Sequence, residues 1–442
     1  MSEERTVAPV PPADGAGRYA RNVLWNVLGA LGGKLLGPAL HVLIARLLVP
    51  ADFGVFAVAV AWLAAFELVK DWGLTQSILV ARGGTRELRL QFTAQIATAL
   101  GFCGLTLALA PVVADAFDLP GLALILPLVS LAALADAVAD PLTTECLLRQ
   151  RYRRLALRQV LTPLVGGGTG LLLAWQGHGV HALAVGLLAG NAAAAICLIP
   201  GQGSVLRLLW DRPALLELLR LAKHVVSQRA FGFLVGHADA FIIGKLIGPQ
   251  ALGLYRMGGT LASLLPLATV PQAQQVTFTE ILERRGEEEL QLRYDRFVLV
   301  SGVALLAYSI GVYLAAPVLV PAVLGEPWRE TVPLLQLFAV AVVTGSLTPM
   351  NMDLAKILGF FGTYTWYAAV RSVATVAAIA WAAQYTIMHV ATAWVIVGLA
   401  FNLANDVIFH AKQRAVRVTP AKIGLIGASW LWACAVFIAL FR

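Results

Sequence analysis

Thirteen stretches of this 442-residue chain stay apolar over the length a bilayer demands. They lie at about 23–45, 54–75, 93–114, 120–142, 157–175, 179–200, 224–244, 252–275, 297–316, 331–350, 362–382, 388–408 and 423–441. A helix crossing the hydrocarbon core needs about 20 predominantly apolar residues, because inside lipid every backbone amide must find its partner within the segment. The expected fold is all-α, a polytopic membrane protein with 12–14 transmembrane helices, thirteen as counted. Composition agrees: 59% of residues are hydrophobic, 13% are charged and the mean hydropathy is +0.77, against about 45–50% apolar and about 25% charged in soluble domains.

The first 18 residues carry charges and three prolines but no apolar run. They read as a disordered cytoplasmic tail rather than a signal peptide, so the first helix is expected to stay. Cys103, Cys146, Cys197 and Cys434 lie in or beside apolar segments without any CxxC, which points away from disulfides and metal sites. Histidines 41, 178, 181, 224, 237, 389 and 410 are scattered without metal spacing. No cofactor is implied, and neither a nucleophile elbow nor a long outer loop suggests an enzyme.

Positive charge sorts once the N-terminus is placed in the cytoplasm. In that scheme 24 of the 33 basic residues fall on the inner face, and only Arg46, Lys245, Arg329 and Arg442 on the outer one, as the positive-inside rule requires of a plasma-membrane protein. The formal net charge of +8 is therefore a topology signal, and nucleic acid is excluded as a partner. The mixed-charge segment Thr279–Phe297 is cytoplasmic in this scheme and suits a surface helix with i,i+4 pairs such as Glu289 with Arg293. There is no GxxxxGK[ST], so energy must come from a proton or sodium gradient, the substrate gradient or another subunit.

One stretch is written twice. RLLVPADFGVF at 46–56 reappears as KLIGPQALGLY at 245–255, offset by 199 residues. Each copy links the first helix of a half to its second. Six helices, an even number, separate the copies, so the second half repeats the orientation of the first. The expected plan is a tail at 1–20, a six-helix lobe at 21–200, a cytoplasmic linker at 201–223, a second six-helix lobe at 224–410, and a linker with one extra helix at 411–442. Parallel repeats of this kind enclose a central cleft. Pro50, Gly54, Pro249 and Gly253 are read as hinge and packing residues.

Ionisable groups inside spans are costly and mark function. The candidates are Lys34, Glu67, Lys70, Asp71, Asp136, Asp140, Arg229, Asp239, Arg256, Arg371 and Asp406. Lys34, Arg229, Arg371 and Arg256 are assigned to substrate binding, since a cationic cleft suits a pyrophosphate. Asp71, Asp239 and Asp406 are assigned to ion coupling or to balancing those bases. The cluster Lys70, Asp71 and Trp72 reads more readily as an interfacial anchor.

The segments ARLLVPADFGVFAVA, KDWGLTQSILV and HADAFIIGKLIGPQALGLYRMGGTLASLLP resemble the polysaccharide flippases of the multidrug/oligosaccharidyl-lipid/polysaccharide exporter superfamily, in the branch of O-antigen, capsule and exopolysaccharide exporters. The family's D-x-x-I-x-G pattern falls on Asp239, Ile242 and Gly244, and its L-G-x-Y element on Leu252 to Tyr255. The resemblance covers about residues 20–410 and implies two lobes around a cavity. It implies an undecaprenyl-pyrophosphate-linked oligosaccharide as substrate, carried from the inner to the outer leaflet, with a polymerase and glycosyltransferases as partners beside membrane lipids. A drug exporter of the same architecture and a non-transporting scaffold are the alternatives. Thirteen spans depart from the twelve or fourteen common in the family, and the last helix, outside the two lobes, is expected to be dispensable.

Overall fold

The computed structural model describes residues 15–70, 74–80, 82–213, 232–282, 287–346, 348–357, 361–412 and 419–441. The described residues are helical nearly throughout. The first half holds α1 (Gly15–Ala45), α2 (Pro50–Lys70), α3 (Leu74–Val80), α4 (Thr85–Ala116), α5 (Leu122–Leu148), α6 (Tyr152–Trp175) and α7 (Val180–Leu198). The helical residues 232–246 form α8. There follow α9 (Pro249–Leu282), α10 (Glu287–Leu324), α11 (Thr331–Gly345), α12 (Thr348–Ile357), α13 (Phe361–Ala382), α14 (Ile387–Lys412) and α15 (Pro420–Leu440).

Among the described residues, nine helices are long and apolar enough to cross a membrane, and a shorter apolar helix spans Trp366–Ala382. The chain is a multi-pass membrane protein. Its apolar outer surface fits that setting: Leu107, Leu124, Leu172, Leu314 and Val318 are all exposed, which only a lipid solvent makes cheap. Interior contacts use small residues instead. Gly166 and Gly170 on α6 face Gly186 and Gly190 on α7, and a Cβ added at Gly186 would stand 2.6 Å from the Gly166 carbonyl oxygen. Two small-xxx-small faces thus meet backbone to backbone, where van der Waals packing and weak Cα–H contacts replace the hydrophobic effect as the source of association.

Helices α1, α4, α5, α6 and α7 pack chiefly on one another, as do α9, α10, α11, α13 and α14, while α2 and α9 join the two sets. One buried core runs through this junction, from Phe53 and Val58 to Tyr255, Phe338 and Val395. The last helix is not peripheral, contrary to the expectation above. Trp432 of α15 donates Nε1 to Ser309 Oγ at 2.9 Å, meets Tyr313 edge to face at 5.3 Å, and Ala433 and Val436 are buried in the core. Its low charge made α15 look like a simple span; its inward face is shaped to fit α10 and α11.

Candidate functional site

The twice-written stretch meets itself. Pro50 and Pro249 are the first residues of α2 and α9, where a fixed φ and a missing N–H cost nothing. One turn on, a Cβ placed at Gly54 would collide with the carbonyl oxygen of Pro249, and one at Gly253 with that of Pro50. The contact is reciprocal, as expected about a two-fold axis relating the copies. Around it, Phe53 meets Trp328 edge to face at 5.2 Å, Trp328 donates Nε1 to the Ala45 carbonyl at 2.8 Å, and Lys245 Nζ lies 2.7 Å from Asp118 Oδ2. This end of the junction is closed by backbone contact, which no side-chain motion can open.

Beside this seal lie neighbouring cavities that share lining residues. The smallest, about 200 Å³, is lined by Pro38, His41, Phe56, His237 and Arg256 among others. A cavity of about 750 Å³ shares Arg256 with it and adds Lys34, Asp239 and Trp394. One of about 640 Å³, between α1, α6 and α7, shares Lys34 and His41. A more polar one of about 800 Å³ shares His237 and is walled by Glu67, Lys70, Asp136 and Asp140. Lys34 Nζ donates to the Leu267 carbonyl at 3.2 Å but has no carboxylate within ion-pair reach among the described residues. Arg256 is different. Its Nη2 donates to Asp239 Oδ1 at 2.6 Å, and both Nη atoms reach the Gly236 carbonyl at 3.3 Å. Asp239 Oδ1 also accepts from the Ala240 amide, so one oxygen of this buried carboxylate both holds the guanidinium and satisfies a backbone N–H.

Two charge networks lie to either side. In the first half, Lys70 Nζ sits 2.5 Å from Asp136, 2.8 Å from Glu67 and 2.9 Å from Asp140, with Arg158 at 3.4 Å from Asp136. Lys70 is only 5% exposed. Three carboxylates depend on that one cation, so Lys70→Met is expected to cost about 3–5 kcal/mol by stranding them. Adding Asp136→Asn should recover part of it; thermal melts of the detergent-solubilised single and double variants check this. In the second half, Lys422 Nζ on α15 lies 2.7 Å from both the Tyr294 hydroxyl and His410 Nε2, and 3.7 Å from Asp406. Asn351 donates Nδ2 to Asp406 and Asn405, and accepts from Tyr294.

The family model described as "Polysaccharide biosynthesis protein" matches residues 43–333, more than half of the chain. This chain belongs to the polysaccharide biosynthesis protein family. Within and around that family it is 24% identical over 437 residues to the succinoglycan biosynthesis transport protein ExoT of Rhizobium meliloti (strain 1021), covering 97% of this chain and 87% of the relative. It is 19% identical over 320 residues to the lipopolysaccharide biosynthesis protein WzxC of Escherichia coli (strain K12), covering 72% and 65%. The lipid II flippase MurJ in its inward closed conformation superposes with a TM-score of 0.73 at 13% identity, over 95% of this chain and 92% of that one. A multidrug resistance transporter of the MATE family, in the MOP superfamily, superposes in its inward-facing conformation with a TM-score of 0.59 at 15% identity, over 88% and 94%. At such identities the two structures share a fold with this family member.

The family member keeps some of the sequence-derived residues together and separates others. Lys34, Arg256 and Asp239 line the cavity of about 750 Å³, and Pro50, Gly54, Pro249 and Gly253 form the seal. Arg371 stands elsewhere, on α13, one turn beyond Tyr367, whose hydroxyl donates to the Phe401 carbonyl. Asp406 serves Lys422 and Asn351. Arg229 and Asp71 lie outside the described residues. Sequence reasoning passed over the Lys70 network as an anchor, although its signal was present: Glu67 and Lys70 are three apart on α2, Asp136 and Asp140 four apart on α5, so each pair shares one face.

Proposed function

We propose that this protein is a flippase that carries an undecaprenyl-pyrophosphate-linked oligosaccharide from the inner to the outer leaflet of the plasma membrane, for surface polysaccharide assembly. The observation that carries the reading is the reciprocal contact of Gly54 with Pro249 and Gly253 with Pro50, set beside neighbouring cavities, one of which is lined by an ammonium, Lys34, with no carboxylate partner among the described residues. Two parallel-repeat lobes, each of six helices, rock about that contact. The N-terminus is cytoplasmic and the seal lies on the outer face, so the cavities open inward in this state. Succinoglycan and lipopolysaccharide biosynthesis in the names of the relatives supports a glycan cargo. The lipid II flippase title supports a lipid-linked one.

Lys34 and Arg256 are the groups that hold the pyrophosphate. Lys34 rests on a neutral acceptor, the Leu267 carbonyl, and Arg256 keeps two faces: Asp239 pins it while its half-buried guanidinium borders two cavities. Asp239 and Asp406 act as counter-charges, to Arg256 and Lys422. A scaffold would have a packed centre with its charges in pairs; the cavities and Lys34 argue for transport instead. The test is reconstitution in liposomes with a labelled lipid-linked oligosaccharide. Wild type should expose the label to the opposite leaflet, and Lys34→Ala should slow this at least about tenfold, the value of one charge-assisted hydrogen bond. Equal label accessibility with and without wild-type protein would end the flippase reading.

A further inference from the structure

We propose that the cavity of about 800 Å³ between α2, α5 and α8 is a sugar-binding site, which receives the first ring of a glycan whose pyrophosphate lies at Lys34 and Arg256; this rests on the flippase reading and specifies where its headgroup binds. The cavity has two chemically distinct sides. On one, Glu67, Asp136 and Asp140 stand with Thr75 and Thr144. Lys70 lies beneath them, 5% exposed, and binds each carboxylate once. A carboxylate accepts at about four lone-pair sites, so the lysine fixes the three groups while leaving acceptors for others, and Glu67, 42% exposed, presents the most. Oriented carboxylates that only accept are matched by neighbouring hydroxyl groups that donate, and a sugar ring offers those in pairs.

The second side is aromatic and comes from the other half of the chain. Phe233 on α8 lines the cavity with His237, and the two rings are stacked at 5.6 Å with 27° between their planes. An aromatic face is electron-rich, and the polarised C–H groups on one face of a sugar ring pack against it. Behind the polar wall, the fully buried Gln91 holds two of its threonines in place. Its Nε2 donates to Thr75 Oγ1 at 2.9 Å and Thr144 Oγ1 at 3.2 Å, and its Oε1 has no partner among the described residues. The order of the subsites follows from a shared residue: His237 borders both this cavity and the small one lined by Arg256, so a ring placed here is separated from the Arg256 cavity by that one side chain.

The experiment uses the full chain in lipid nanodiscs and two probes, a short-chain polyprenyl pyrophosphate bearing one glucose and the same lipid without sugar. Glu67→Gln and Phe233→Leu are each expected to weaken binding of the glucosylated probe about tenfold, the loss of one charge-assisted hydrogen bond or one ring contact, and to leave the bare lipid unchanged. Binding of the bare lipid also certifies that each variant is folded. If both variants hold the glucosylated probe as wild type does, or lose both probes equally, the sugar site is wrong while the flippase reading stands. Wild type that takes up neither probe overturns the flippase reading and this site with it.

Discussion

Gly54→Leu is expected to abolish transport while leaving the chain inserted. Any side chain at Gly54 collides with the Pro249 carbonyl, and a carbonyl on a helix cannot rotate away as a side-chain tip can. The two helices must separate, which withdraws Phe53 from Trp328 and Trp328 from Ala45. Overpacking of this kind costs about 1–3 kcal/mol in ordinary cores, and a closed seal without a Cβ to spare stands at or above the top of that range. About 3 kcal/mol shifts a balanced two-state equilibrium more than a hundredfold toward the state with the seal open. The readout is a cysteine pair, Asp118→Cys with Lys245→Cys, at positions whose side chains now meet at 2.7 Å. Joined by a bifunctional thiol reagent that spans about 8–10 Å, in place of the lysine and aspartate side chains that now bridge the gap, the pair should crosslink readily in the wild-type background and at least about tenfold less in Gly54→Leu. Undiminished crosslinking together with normal transport would show that the seal tolerates a side chain. Gly253→Val tests the reciprocal half of the contact and is expected to behave alike.

Removal of α15 is expected to be as damaging to stability as Gly54→Leu is to transport. Lys422, 3% exposed, brings a cation to Asp406, Tyr294 and His410, and its ammonium also lies 4.9 Å from the Tyr294 ring centre. Truncation after Ala421 takes away this charge, the Trp432 bond to Ser309 and the packing of Leu425 against Gly302. Lys422→Met alone should cost about 3–5 kcal/mol, because it leaves Asp406 partly buried without its cation. The truncation should fail to give a monodisperse protein. Fluorescence-detected size-exclusion after a heating series measures both. A truncated chain as heat-resistant as wild type would restore α15 to the status of an appendage, and Lys422→Met/Asp406→Asn should recover stability if the charge pair is what matters.

The helical, membrane-spanning character of the chain was legible in the sequence, because lipid leaves a long apolar segment few alternatives to the helix. The repeat at 46 and 245 was legible too, since an offset of 199 residues survives any arrangement in space. What that repeat does was not. Its glycines read as packing residues in separate halves, whereas their contact is with each other's proline carbonyls. A partner two hundred residues away leaves no local periodicity to find.

Charge tells the same story in a different way. Lys34, Asp239, Arg256 and Arg371 could all be picked out as ions in apolar surroundings, since the desolvation cost is a property of each residue with its neighbours in the chain. Their roles depend on which other charge stands within about 4 Å, and that is a matter of tertiary packing. Hence Arg256 turns to Asp239, and Lys422, not among the ions singled out in the sequence, is a buried cation beside Asp406. The sequence by itself determined the solvent, the helices and the duplication, because these follow from local hydrophobicity and order along the chain. Only the tertiary structure decided which charge is neutralised and which is left for a substrate, because Coulomb energy depends on distances that the order of residues does not contain.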